Sequence, residues 1–123
     1  MYTLDTNAVI YYLKNDNKAV SVLEDVFAKD VSLYISAITE LELFGFSSLT
    51  ADEAHHIEEV LQTLSVIPVD SRIARLAGML RRTYNIKTAD SAIAATALFT
   101  RTTLLTRNIK DFEKVESLSL KEV

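Results

Sequence analysis

Four short apolar runs, YTLD (2–5), SLYIS (32–36), LSVIPV (64–69) and TTLLT (102–106), are separated by stretches whose apolar residues recur at helical spacing. Strands alternating with helices imply a parallel sheet covered on both faces. In such a sheet, ligands bind beyond the carboxyl ends of the strands, near the point where strand order reverses. The alternation therefore indicates where chemistry belongs before any residue has a role.

The helices can be placed in turn. TNAVIYYLK (6–14) follows the first strand, with Val9, Ile10 and Leu13 on one face. A second helix, over 17–29, lines up Val20, Leu23, Val26 and Phe27. AITELELFGF runs on directly from the second strand. Thr50 and Glu53 make a capping-box pattern that opens a helix through Leu61. Asp70 is a good N-cap for a helix with Ile73, Ala77, Leu80 and Tyr84 in line. Thr88 can cap ADSAIAATALFTR, and a last short strand is expected near SLSL (117–120). Only 2 glycines and 1 proline interrupt the chain, so elements are long and loops short. The 123 residues fit a single domain, 1–123, with a real hydrophobic core. No apolar run is long enough to span a bilayer. MYTLDTN has no basic-then-apolar leader pattern, so a signal peptide is not expected. The absence of cysteine excludes disulfides and thiolate metal sites and suits a cytoplasmic protein.

Two glutamates in ITELELFGF (38–46) cannot do the same job. On a helix, Ile38, Leu41, Glu42, Gly45 and Phe46 share one side, and Glu40 falls on the other, toward water. Glu42 is thus expected as a carboxylate on an apolar face, where unpaired burial costs several kcal/mol. Three more carboxylates occupy comparable places. Asp5 closes the first strand, Asp90 lies in the first turn of the helix after Lys87, and Asp111 follows TTLLT.

Singly, each has an ordinary explanation. Asp5 and Asp111 could cap helices, Glu42 could snorkel, and Asp90 could favour a helix dipole. Jointly, they fall on one rim of the sheet. Ala94 and Ala97 beside Asp90, and Gly45 beside Glu42, would let backbones approach. Converging carboxylates repel and need a cation to hold them. With 2 histidines, no cysteine and many oxygens, that cation is a hard one, Mg²⁺ or Mn²⁺. His55 and His56 are adjacent on a polar helix and read as surface residues. Such an acidic site can bind a phosphodiester oxygen, lower the pKa of a water and stabilise a leaving oxygen.

The net charge of −4 hides a division. Residues 1–70 carry 3 Lys/Arg against 12 Asp/Glu, whereas residues 71–123 carry 10 against 5. A basic surface can receive a polyanion, although solvated helix charges explain the same count. Arg81, Arg82, Lys87, Arg107 and Lys110 lie within or next to the elements that bear Asp90 and Asp111 and are candidate phosphate contacts.

LDTNAVI, ISAITELELFG, TADSAIAATAL and LLTRNIKDF occur in the order and spacing of PIN-domain ribonucleases. The chain most resembles the VapC-type toxins of toxin–antitoxin pairs, over essentially its whole length. The resemblance implies a three-layer α/β/α fold with a central, mostly parallel sheet of four to five strands. It also implies a Mg²⁺- or Mn²⁺-dependent endoribonuclease, a homodimer, and a small antitoxin partner whose basic side chain or tail enters the acidic pocket. Asp5, Glu42 and Asp90 match the family's regular acidic positions. Thr6, Asn7 and Thr106 match its polar companions. Many relatives carry the fourth acid where Asn108 stands here, and Asp111 follows three residues later. Either can serve as the fourth site residue, and one or two ions can be held.

The expected reaction is in-line attack on an RNA phosphodiester by a metal-activated water. Three rivals remain. One is a catalytically inactive PIN-like module that binds RNA or protein. Another is a phosphatase of the haloacid dehalogenase type, which needs a second aspartate where Asn7 stands. The last is a receiver, for which VIPVD offers only Asp70, better explained as a helix cap.

Overall fold

The strand that ends at Asp5 is the middle of the sheet. In the computed structural model, which describes residues 1–123, β1 (Tyr2–Leu4) lies between β2 (Leu33–Ser36) and β4 (Thr103–Thr106). β3 (Ser65–Ile67) flanks β2 and β5 (Leu120–Glu122) flanks β4, giving the order β3-β2-β1-β4-β5. All four pairings are parallel. The order reverses at β1, which places the switch point beside Asp5.

Seven helices connect and cover the strands: α1 (Thr6–Leu13), α2 (Asn17–Ala28), α3 (Ala37–Phe44), α4 (Ala51–Leu61), α5 (Ser71–Tyr84), α6 (Thr88–Thr100) and α7 (Ile109–Phe112). Consecutive strand residues face opposite layers. Leu105 joins a core made with α1, α2, α3 and α4, and Leu104 joins one made with α5, α6 and the segment after α7. The acidic first part and the basic second part of the chain thereby supply the helices of opposite faces. The charge division read from the sequence is a division between layers.

Local signals account for most boundaries. Asp16 Oδ1 accepts from the N–H of Ala19 to start α2. Thr50 and Glu53 bond reciprocally at the start of α4. Asp70 Oδ1 accepts from the N–H of Ile73 to start α5. α6 differs from expectation: Lys87 holds the N-cap position without a capping side chain, and Thr88 is already helical. That helix is buried from Ser91 to Ala97, and only small side chains interspersed along it let it sit against α5, α3 and the sheet.

β3 is shorter than the LSVIPV run because Pro68 has no N–H to continue the ladder. The last strand falls at 120–122 rather than 117–120. Leu118 is drawn instead into the core beneath α5 and α6, and Leu120 takes register with Leu104. α7 was not legible, being a single turn.

The fold predicts opposite responses at two small residues. Gly78 lies mid-helix in α5 with open space where a Cβ would point, so Gly78→Ala should stabilise the protein by roughly 0.5–1 kcal/mol in urea unfolding. Ala94 is fully buried, so Ala94→Leu should destabilise it by about 1–3 kcal/mol through overpacking.

Candidate active site

β1 delivers Asp5 to the sheet rim, where the residue is only 2% exposed. Its N–H continues the ladder to Leu105 O and its carbonyl accepts from Ala8 and Val9, so the backbone is fully used in joining strand to helix. The side chain does not cap α1. It turns instead to β4, where Thr106 Oγ1 donates to Asp5 Oδ2 at 2.8 Å. The same hydroxyl oxygen accepts from the N–H of Asn108 at 3.0 Å. The ordinary explanation of Asp5 as a helix cap is thereby removed.

Glu42 is half-buried on α3 and is also held by a threonine. Thr6 Oγ1 donates to Glu42 Oε1 at 2.6 Å and lies 3.0 Å from Thr39 Oγ1. The helix phase expected from the sequence needs correction. Leu41 is 66% exposed and Phe46 is 51% exposed, so their side of α3 is no core face. Thr39 and Leu43 are the buried residues, and Glu42 sits at the edge of that stripe. Glu40, expected to face water fully, is half-buried. Gly45 is exposed at the end of α3, and a Cβ there would come within 2.7 Å of Leu41 O of the same helix, so it eases no neighbouring element.

Asp90 lies half-buried in the first turn of α6, and Asp111 is exposed in the turn of α7. The four acids sense one another. Burial pushes the Asp5 carboxyl from 3.8 up to about 6, against the Thr106 hydrogen bond, with the negative charges of Asp90 and Glu42 adding to the rise. Burial also raises Asp90, reinforced by Asp111 and Glu42 and opposed by Lys87. No three acidic or histidine side chains close on one point. The close convergence of carboxylates expected from the sequence is therefore looser than a closed cluster. The donor set itself is all oxygen and suits a hard cation. Asn7 lies beside the site with Thr6, Ile10, Leu41 and Glu42 around an open hollow.

The basic residues are less uniform than their sequence suggests. Arg82, Lys87 and Lys110 are exposed. Arg81 is exposed too, but its Nη1 donates to Ile86 O at 2.9 Å and ties down the loop before α6. Arg107 is turned inward onto Asp16 and is not a free phosphate contact. His55 and His56 are exposed, as expected. Thr39 and Asp16 belong to the surroundings of the site and are not marked out by the sequence. Thr39 stands one helical turn before Glu42, and that spacing was the available signal.

A parallel three-layer sheet with acids at its switch point defines a class of α/β proteins with a polar rim site. The particular family follows from comparison: the PIN domain model matches residues 2–118, and the chain belongs to that family. It is 29% identical over 126 residues to ribonuclease VapC1 of Haemophilus influenzae (strain R2866), covering 96% of this chain and 94% of that protein. It is 28% identical over 128 residues to ribonuclease VapC2 of Rickettsia felis, covering 98% and 96%. Among solved structures, it superposes with a TM-score of 0.84 and 28% identity on VapBC2 from Rickettsia felis bound to a promoter DNA fragment, over 99% of this chain and 98% of that one. A toxin–antitoxin complex from Klebsiella pneumoniae gives 0.83 and 30% over the whole of both chains.

The raised Asp5 carboxyl sets the sign of a pH effect. Its folded value exceeds its unfolded one, so the fold favours the protonated acid. The protein should therefore lose stability as pH rises from about 4 through about 6, by roughly 2–3 kcal/mol from this group. Asp5→Asn should melt higher than wild type at pH 7.5 in chelator-treated buffer and level with it at pH 4. An equal difference at both pH values would contradict the assignment.

Proposed function

We propose that this chain is a divalent-metal-dependent endoribonuclease that hydrolyses RNA phosphodiesters, and that it is the toxin of a toxin–antitoxin pair. The observation that carries this reading is the buried Asp5 carboxylate at the switch point, sharing its field with Glu42 and Asp90. Isolated burial of that acid is costly, and no cation of the chain is bonded to it. PIN-domain ribonucleases are generally divalent-metal dependent.

Asp5, Glu42 and Asp90 would hold Mg²⁺ or Mn²⁺, with Asp111 and Asn108 at the margin for a second ion or a water. A bound divalent ion supplies positive charge that polarises the phosphodiester and acidifies the attacking water. The chain supplies orientation. Thr106 fixes one oxygen of Asp5, and Thr6 fixes one oxygen of Glu42. Lys87, whose charge acts on Asp90, would contact an incoming substrate phosphate. Arg82 and Lys110 extend exposed positive charge from the same part of the chain.

The Klebsiella pneumoniae neighbour is a toxin–antitoxin complex and the Rickettsia felis one is a VapBC2 structure, and a groove on this surface suits such a partner. A cavity of about 250 Å³ between α1, the α3–α4 connection and α4 is lined by Ile10, Leu13, Leu43, Leu49 and Ile57. It meets the hollow beside Glu42 at Ile10 and Phe46. An amphipathic segment of an antitoxin lying there could send a basic side chain to the acids. The homodimer belongs to the same reading, with one exposed aromatic pair as its candidate surface. Tyr12 packs edge-on against Phe27 at 5.6 Å, Tyr11 lies under Arg107, and Leu49 packs on the core, leaving Phe44 and Phe46 exposed. Sedimentation equilibrium at micromolar concentration should give twice the 13.8 kDa chain mass.

The direct test uses a structured RNA, Mn²⁺ and purified protein. Glu42→Gln should remain folded and lose on the order of 100-fold in cleavage rate, whereas Glu40→Gln should stay near wild type. Asp90→Asn should abolish most Mn²⁺ binding in calorimetry, along with the rise in melting temperature that the metal confers. Unchanged Mn²⁺ affinity in that variant would sink the metal assignment.

A further inference from the structure

β4 ends at Thr106, and in the turn that follows Arg107 is bonded to Asp16 while Thr106 and Asn108 stay at the site. The Nη1 and Nη2 groups of Arg107 donate to the two carboxylate oxygens of Asp16 at 3.2 and 2.8 Å. Nε donates to Val123 O at 2.8 Å, and the guanidinium carbon lies 4.0 Å from the centre of the Tyr11 ring. One side chain thus binds the end of β4 to α1, to the capping residue of α2 and to the end of β5. The hydrogen bonds also hold the Asp16 carboxyl down at about 2, so the pair stays charged across the working pH range.

The consequence lies one residue away on either side. Thr106 is completely buried, its carbonyl accepts from Val123 N–H at 3.2 Å, and its hydroxyl is the group that holds Asp5. Asn108 N–H returns to that same hydroxyl, and Asn108 O receives the first turn of α7, which carries Asp111. We infer that Arg107 is a positioning residue: its clamp on Asp16, Tyr11 and Val123 fixes the β4 end so that the Thr106 hydroxyl stays on Asp5 and α7 starts in register. The catalytic consequence rests on the nuclease reading, while the positional one does not.

Three variants test this. Arg107→Ala removes the clamp, and Arg107→Lys keeps the charge but not the planar fork that bonds in two directions and stacks. Asp16→Asn is the mild variant, because Asn caps a helix as well as Asp and α2 keeps its start. Native-state hydrogen exchange on the free protein should show the Asn108 amide exchanging at least 10-fold faster in all three, with Leu104 and Leu105 unchanged. Wild-type protection of Asn108 in Arg107→Ala and Asp16→Asn overturns the inference, and so does a uniform rise that includes Leu104 and Leu105.

In RNA cleavage, kcat should fall about 10- to 100-fold with KM and salt dependence nearly unchanged, as expected of lost alignment. The double variant Arg107→Ala/Asp16→Asn should be no worse than Arg107→Ala alone, since both break one contact. A raised KM and a flattened salt slope with kcat intact would make Arg107 an RNA contact instead. If the wild-type chain cleaves no RNA, the nuclease reading fails, and the exchange measurement still decides the clamp.

Discussion

A carboxylate removed from water at the end of the central strand is the constraint around which this molecule is arranged. Asp5 sits where β1 stops and α1 starts, with its backbone groups spent on both. The sheet must reverse its order there, since β2 and β4 flank β1 on opposite sides and each brings its own following segment to the same rim. From β2 comes α3 with Glu42, and from β4 comes the turn into α7 with Asp111. Asp90 arrives from α6, which can reach the rim only because small residues let it pass close to α3 and the sheet. The topology brings the acids to one rim, near enough for their charges to act on one another without closing on a single point.

The opposed layers give that rim its setting. Helices from the first part of the chain, with most of its carboxylates, cover one face, and helices carrying α5's arginines cover the other. A polyanion would be attracted to one layer and repelled by the other. This separation is a property of the fold and could not be derived from a count of charges. It follows from where the chain crosses from β3 to α5.

Much of the fold was legible. The strand–helix alternation, the Asp70 cap and the Thr50–Glu53 box each encode a local preference that tertiary structure left intact. The losses have physical causes. Pro68 truncated β3, Leu118 preferred the core to the ladder, and α7 is too short to carry a periodic signal. At the site, the acids could be named from their position after strands, but their holders could not. The bond from Thr106 to Asp5 spans 101 residues and that from Arg107 to Asp16 spans 91, and no local pattern registers such distances. The phase of α3 was misread because Leu41 and Phe46 are apolar yet exposed. A rule that apolar side chains point inward fails where a surface is reserved for something else.

The choice of holders explains how so many acids coexist without cancelling their charge. Thr6 has one proton, and the structure aims it at Glu42, so Thr39 must be the donor in the Thr39–Thr6 pair. Thr106 likewise spends its proton on Asp5. A hydroxyl steers a carboxylate while leaving its charge in place. An arginine in the same position would form an ion pair, and the negative charge of the site would be cancelled from within. The arginines nearest the rim are in fact occupied elsewhere, Arg107 by Asp16 and Arg81 by the Ile86 carbonyl. Neutral donors hold the acids, and cations hold the frame. The unfavourable burial of Asp5 thus persists in the free protein, and a positive charge bound beside it would relieve it.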